Sequence, residues 1–323
     1  MDKMNQEKLN SADWESLKSL RTIFLSETAG GQKDYWSSSH LLELYHETFA
    51  QRIGWKWDAV LKDFSAKAIF NKKESYTVLD YGSGTGIATE KIVEHLGADN
   101  ISDLWLWDKS RQAMEFSAQN LEKRFPKIPL TKLSEVQVPG GNWILILSHI
   151  VNELSKKELI EVLSLAEKAD YVFWVEPGTH STSRRLIEIR KKVLEKMVVL
   201  APCQHQKACG MLSAKNEPHW CHHFASPPQE VFQHSFWGLF SRNLNIDLRS
   251  LPVSYLILGK KDTQALATSS EARIIGRPRL YKGNGKFLLC EESGVDDVLL
   301  LEKNHRSLFK DYKKDIFSKS IVK

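Results

Sequence analysis

The chain has 323 residues, 42% of them hydrophobic and 26% charged, which suits a folded globular protein and excludes a disordered one. Its net charge of +5 admits a nucleic-acid partner without demanding one. The clearest apolar run, Trp143 to Leu147, is far short of a membrane span, and the opening MDKMNQEKLN has neither the apolar stretch of a signal peptide nor an Arg-rich transit pattern.

The expectation is therefore no membrane partner, and a cytoplasm of bacterial type or a mature organellar form. In a reducing compartment the four cysteines are thiols or metal ligands rather than disulfides. No oligomeric state is legible.

The first 70 residues read as helical. One helix is expected around Trp14 to Phe24, then a break at Gly30-Gly31. Leu42, Tyr45, Phe49 and Ile53 recur at helical spacing, and Trp57, Leu61 and Phe64 make a second apolar face. From residue 76 the pattern changes. Tyr76, Val78 and Leu79 form a short strand that runs into a glycine-rich turn. Ile87 to Leu96 is a helix stopped by Gly97, and Leu104 to Trp107 a strand ending at Asp108. Arg111 to Phe125 is a helix closed by Pro126, and Trp143 to Leu147 a third clear strand. Ser155 and Glu158 have the spacing of a capping box, and Tyr171 to Val175 is a strand ending in Glu176-Pro177-Gly178. Strands alternating with helices predict a mostly parallel sheet covered on both faces. Residues 202–238 lack a period and are rich in Cys, His, Pro and Trp. Regular structure is expected again at Val253 to Leu258. A hairpin turn over Lys282 to Lys286 and a strand at Val298 to Leu301 follow, then a Lys-rich tail.

The segment Val78-Leu79-Asp80-Tyr81-Gly82-Ser83-Gly84-Thr85-Gly86 joins the first strand to its helix. Glycines there permit positive φ and close approach of a ligand to the backbone, at the carboxyl end of the strands where open α/β sheets bind ligands. The dinucleotide fingerprint would need glycine where Ile87 or Thr89 stands, and the Gly-Lys-Ser/Thr end of a P-loop is missing. The acid-x-Gly-x-Gly-x-Gly form resembles the first motif of class I S-adenosylmethionine-dependent methyltransferases at all its positions. In that superfamily a carboxylate at the position of Asp108 accepts the ribose hydroxyls. The resemblance implies a cofactor site of Asp80, Gly82, Gly84, Gly86 and Asp108. The implied fold is α/β, a Rossmann-like class I methyltransferase sheet with an N-terminal helical region, a cysteine-rich insertion and a small C-terminal β module. The expected division is 1–70 for the helices, 71–260 for the methyltransferase-like domain with its insertion at 200–240, and 261–323 for the β module and basic tail.

Cys203, Cys209 and Cys221 sit in a polar, irregular, His-rich segment inserted after the fifth strand, and Cys290 lies far downstream. Four thiolates can complete a tetrahedral zinc site or an iron–sulfur cubane. The gaps of five and eleven residues are wider than the close pairs of structural zinc sites, so the donors leave the metal open between the two. His205, His222 and His223 are rival ligands.

Several segments together resemble the methyltransferase-like proteins of the mitochondrial small ribosomal subunit and their bacterial relatives. They are Leu79 to Gly86, Ser148 to Leu154, Val175 to Thr179, Ala201-Pro202-Cys203 with His205 and Cys209, Trp220-Cys221-His222, and Arg277 to Cys290, within roughly residues 40–300. The resemblance implies a [4Fe-4S] cluster on Cys203, Cys209, Cys221 and Cys290, and a place on small-subunit rRNA in ribosome assembly or translation. Gln204 and Gly210 depart from prolines common in that family, without removing a ligand.

No acceptor chemistry is legible. The Asn/Asp-Pro-Pro-aromatic motif of amino-group methylation is replaced by Ser148-His149-Ile150-Val151-Asn152-Glu153, and the cysteines are already claimed. The readings left open are an rRNA methyltransferase, an inactive RNA-binding assembly factor, and a zinc-stabilised small-molecule methyltransferase. Three basic groups support RNA: Arg184, Arg185, Arg190, Lys191 and Lys192; Arg273, Arg277, Arg279, Lys282 and Lys286; and the tail lysines Lys310, Lys313, Lys314, Lys319 and Lys323.

Overall fold

The protein is described by a computed structural model, which covers residues 9–25, 36, 38–65, 74–263, 271–314, 316–317 and 320–322. The Gly30-Gly31 break and tail residues Lys319 and Lys323 lie outside the described residues.

The N-terminal part is α1 (Ser11–Leu25), α2 (Ser39–Tyr45) and α3 (Gln51–Ser65). A π-helical turn, His46–Ala50, joins α2 and α3 into one continuous run. Ser38 caps α2, its hydroxyl accepting from the Leu41 amide at 3.1 Å. Trp57 on α3 donates through its indole to the Ser148 hydroxyl at 3.0 Å. Gly54 lets α3 lie close to the next helix, because a β-carbon there would stand 3.2 Å from Ile87.

The main sheet contains β1 (Tyr76–Tyr81), β2 (Ile101–Trp107), β3 (Leu130–Lys132), β4 (Trp143–Ser148), β5 (Tyr171–Pro177), β6 (Met197–Ala201), β7 (His223–Ala225) and β8 (Leu251–Lys260). Its order is β3-β2-β1-β4-β5-β8-β6, with β7 beside β6 on the same edge of β8. The strands from β3 to β5 are parallel, and β8 runs antiparallel between β5 and β6. This is the class I methyltransferase sheet. Helices α4 (Ile87–Leu96), α5 (Arg111–Arg124), α6 (Lys156–Ala166) and α7 (His180–Val193) make the crossovers, and α8 (Ser235–Leu244) precedes β8. The capping box of α6 forms on Ser155 and Glu158 as the spacing predicts. The central strands are buried on both faces. Val78, Ile144, Ile146 and Phe173 face a core with Trp57, Phe64 and Ile92; Leu79, Leu145, Val172 and Trp174 face a second with Leu186 and Ile189.

Two expectations fail here. Leu130–Lys132 and Met197–Ala201 are strands that the sequence pattern does not mark, so the cysteine loop follows the sixth strand and not the fifth; the first, three residues half-buried to exposed, gives no periodic signal. Residues 235–244 are helical although 235–238 fall in the segment that reads as irregular, because Phe236, Trp237, Phe240 and Leu244 form a buried face against α1 and the π turn.

A four-stranded antiparallel sheet follows, in the order β11-β10-β9-β12, made of β9 (Glu271–Tyr281), β10 (Asn284–Glu291), β11 (Gly294–Leu301) and β12 (Ser320–Val322). The β9–β10 hairpin turns at Lys282-Gly283, with Gly283 at φ 78°. Helix α9 (Arg306–Tyr312) covers one face through Phe309 against Phe287. The other face meets the main domain through Ile275, Val295, Ile187 and Met211, with Cys209, Cys221 and Cys290 packed against them.

Candidate cofactor cavity and cysteine quartet

The turn after β1 folds back on β2. Gly82 and Ser83 donate their amides to the Trp107 carbonyl at 2.7 and 3.1 Å. Gly82, Gly84 and Gly86 all have positive φ, at 78°, 51° and 81°, which side-chain-bearing residues adopt only with strain. The Asp108 carboxylate clamps the turn. Its Oδ2 accepts from the Gly84 amide and its Oδ1 from the Ser110 amide, each at 2.8 Å.

The glycines differ in what surrounds them. A β-carbon on Gly86 would stand 2.5 Å from the Ser117 hydroxyl, so this residue serves the close packing of α5 on the turn. A β-carbon on Gly84 would meet nothing within 4 Å. Gly82, Ser83, Gly84, Thr85 and Asp108 line a cavity of 480 Å³; Gly86 and Asp80 do not. Asp80 lies beneath the turn, fully buried, its Oδ2 accepting from the Thr89 hydroxyl at 2.6 Å. Burial pushes its carboxyl up to about 7, with Asp108 adding repulsion. Asp80 and Gly86 support the site from outside the cavity wall.

The opposite wall is one that sequence reasoning missed as part of the site. Tyr45, Phe49, Arg52, Ile53 and Lys56 face the cavity from α2, the π turn and α3. Beyond the end of β4 stand His149, Asn152 and Glu153, and near the end of β5 stands Glu176. His149 has φ 59°, and its buried Nε2 has no hydrogen-bond partner. Burial, then the charges of Lys56 and Arg52, hold this imidazole neutral. Glu176 is 1% exposed, and its Oε1 accepts from the Trp174 indole at 2.7 Å and from the Val151 and Ile150 amides at 2.9 and 3.1 Å. Burial raises its carboxyl to about 8 and that of Glu153 to about 7.

The four cysteines are free thiols that the fold gathers. Cys203 interacts electrostatically with Cys209, Cys221 and Cys290, Cys209 with Cys221 and Cys290, and Cys221 with Cys290. Burial, reinforced by neighbouring sulfurs, pushes Cys209 and Cys221 up and Cys290 to about 12. Among the described residues no group of three or more His, Cys, Asp or Glu side chains is arranged to hold a metal ion. His205 and His223 stand with Nε2 3.9 Å from the sulfurs of Cys290 and Cys221. His222 stacks on Trp220 instead, with ring centroids 4.7 Å apart.

The loop carrying Cys203 and Cys209 is pinned from α7. Arg190, 2% exposed, donates to the carbonyls of His205 and Lys207 at 2.9 and 3.0 Å. Arg184 donates to those of Met211, Asn216 and His219. Gly210 lies against β11, where a β-carbon would come within 2.5 Å of the Val295 amide nitrogen. Any residue with a β-carbon at this position would crowd the β11 backbone.

These hydrogen bonds correct the expected RNA surface. Arg184 and Arg190 turn inward, and Arg185 donates to the Leu154 carbonyl at 2.7 Å. Arg273 is 5% exposed, bonded to the Tyr255 hydroxyl and Asp63. Arg277 lies over the rings of Phe224 and Phe317, and Arg279 pairs with Asp297. Lys191, Lys192, Arg277, Arg279, Lys282, Lys286, Lys310, Lys313 and Lys314 are exposed. No helix of the described residues is long and apolar enough to cross a membrane.

Comparison with curated proteins returns no match. Solved structures of similar architecture include a candidate RNA methyltransferase from Pyrococcus horikoshii, with 15% identity and a TM-score of 0.38 over 74% of this chain and 98% of that one. They also include magnesium protoporphyrin IX methyltransferase from Synechocystis with bound S-adenosylmethionine, with 11% identity and a TM-score of 0.40 over 78% and 100%. A third is an S-adenosylmethionine-dependent methyltransferase from Leishmania major, with 10% identity and a TM-score of 0.39 over 76% and 82%. The fold assignment rests on the strand order. The sequence profile of the mitochondrial small ribosomal subunit family Rsm22 matches residues 50–318. The chain belongs to this family and is a methyltransferase-like small ribosomal subunit protein.

Proposed function

We propose that the chain binds S-adenosylmethionine in the 480 Å³ cavity, acts on or is bound to small-subunit rRNA, and holds a [4Fe-4S] cluster on Cys203, Cys209, Cys221 and Cys290. The observation that carries the cofactor reading is Gly84. Its α-carbon faces open space on the cavity wall while its amide is fixed by Asp108. A ligand can therefore press against the backbone there, and the Asp108 oxygens keep lone pairs for ribose hydroxyls. Buried hydroxyls of Ser83 and Thr85 without partners add polar groups to the same wall. When bound, the cofactor supplies an electrophilic methyl group. The chain's residues hold it in a cavity lined by Tyr45 and Phe49, where burial and the charges of Lys56 and Arg52 keep His149 neutral.

The cluster reading is supported by the donor set. Four mutually interacting sulfurs are the ligands a cubane needs. Arg273 and Arg190 lie within electrostatic reach of Cys290, and Arg184 of Cys209, so the surroundings favour a net negative group.

Calorimetry with S-adenosylmethionine tests the cofactor. Asp108→Ala removes charge-assisted bonds and is expected to cost about 1.5–3 kcal/mol, or one to two orders of magnitude in affinity. Unchanged affinity would count against the site. Anaerobic purification with iron and zinc assays tests the metal; a colourless protein with one zinc per chain would replace the cluster by the zinc alternative. Methyl transfer to rRNA separates the enzyme from an inactive assembly factor of the same fold.

A further inference from the structure

Arg52 and Lys56 stand one turn apart on α3, on the cavity wall facing the glycine turn. Lys56 is 8% exposed, and the buried Nε of Arg52 has no hydrogen-bond partner. Among the described residues neither side chain is hydrogen-bonded or ion-paired. Burying a charge without a counter-ion costs several kcal/mol, and burial pushes the Lys56 ammonium down to about 7. The carboxylate that acts on Lys56 is Glu176, which is already engaged by three donors. The placement follows helical geometry. Tyr45, Phe49, Arg52, Ile53 and Lys56 form one face, and a π-helical turn lies within it, a feature frequent at functional sites.

The sheet order says which end of a ligand reaches this wall. Strand β1 lies between β2 and β4, with β5 beyond β4. A ribose held by Asp108 sits at the β2 end. A ligand that crosses the glycine turn presents its other end on the β4–β5 side, where Lys56 acts electrostatically on both His149 and Glu176. The remaining cations of the cavity are occupied: Lys109 pairs with Glu158 at 2.6 Å, and Arg21 donates to the Asn245 carbonyl. Asp108 repels an anion, and Glu153 and Glu176 offer it no positive charge, which leaves the α3 wall as its place.

We infer that Arg52 and Lys56 form an anion subsite that takes the carboxylate at the amino-acid end of S-adenosylmethionine. The inference rests on the cofactor reading above. Titration calorimetry of the full chain should compare S-adenosylhomocysteine with 5′-methylthioadenosine, which keeps the nucleoside and loses the amino acid. The wild type is expected to prefer the first by about tenfold or more, the worth of one charge-assisted bond. Arg52→Met and Lys56→Met should each shrink that preference while leaving 5′-methylthioadenosine affinity unchanged, which also shows that the variants fold. Lys56→Arg should retain it. A preference that survives both methionine variants overturns the subsite. Adenosine 5′-monophosphate bound more tightly than S-adenosylhomocysteine, and lost in the same variants, overturns the carboxylate in favour of a phosphate. If neither adenosine ligand binds the wild type, the cofactor reading fails and this inference falls with it.

Discussion

Alanine at Gly84 and at Gly86 should damage the protein in two different ways, although both stand in one turn with positive φ. A left-handed conformation costs an L-residue about 1–2 kcal/mol, and that cost applies at both positions. At Gly86 the new β-carbon also meets the Ser117 oxygen at 2.5 Å and Leu121 Cδ1 at 3.2 Å. Ser117 is fully buried on α5, so either its hydroxyl must rotate within a packed site or the helix must shift. Overpacking of this kind adds about 1–3 kcal/mol, for a total of about 2–5 kcal/mol. At Gly84 nothing stands within 4 Å, so the stability loss stays near the conformational cost alone. The methyl group there occupies space that a bound ligand needs, and S-adenosylmethionine affinity should fall by about tenfold or more. Urea denaturation and calorimetry on both variants measure the two effects. Equal stability losses, or a Gly84→Ala protein with undiminished affinity, would refute the division of labour between the glycines.

Asp80→Asn should stabilise the protein at neutral pH. The folded-state carboxyl is raised to about 7 from an ordinary 3.8, so its stabilising contribution is complete below about pH 4 and is lost as pH rises towards 7, at about 1.4 kcal/mol per unit. Denaturation midpoints between pH 4 and 7 should flatten in the variant, and an unchanged profile would contradict the buried placement. Arg190→Met leaves the carbonyls of His205 and Lys207 without their donor and should cost about 1–3 kcal/mol. Iron retained after anaerobic reconstitution should drop with it, and full retention would show that the loop holds its shape unaided. Charge reversal at Lys282 and Lys286 should reduce the salt slope of rRNA binding by about 0.7 for each phosphate no longer neutralised, read from filter binding at several salt concentrations. An unchanged slope would move the RNA surface elsewhere.

What was legible in the sequence was local. The β1 strand, its turn and the α4 helix are contiguous, and Gly97 ends the helix where its position predicts. That Asp108 and the glycine turn share one site was legible because they follow neighbouring strands in a fold with a known order, while their hydrogen bond was not. Side-chain direction was not. Arg184 and Arg190 share α7 with Lys191 and Lys192, and residue type alone cannot say which of them face the cysteine loop. Only the burial of Leu186, Ile187 and Val193 fixes the inward face, and Arg190 lies on it. The cationic cavity wall was hidden for a related reason. Arg52 and Lys56 interrupt an apolar pattern and read as solvent-facing positions until the helices are laid over the sheet.

The cavity and the cysteine quartet share one piece of backbone. Glu176 ends β5 and holds the amides of Ile150 and Val151 at the cavity. Two residues on, the Gly178 carbonyl accepts from the Trp220 indole at 2.9 Å, next to Cys221. The Cys221 carbonyl in turn accepts from Ser183 on α7 at 2.6 Å and Ser254 on β8 at 2.8 Å. Gly178 itself is wedged against β8, where a β-carbon would stand 2.6 Å from the Val253 nitrogen. Close packing against β8 leaves Gly178 little room on that side. Cys221 and its neighbour Trp220 thus contact α7, β8 and the Glu176–Gly178 segment at once. The two candidate sites, drawn from distant parts of the sequence, are joined by one continuous run of backbone and hydrogen bonds at the end of β5.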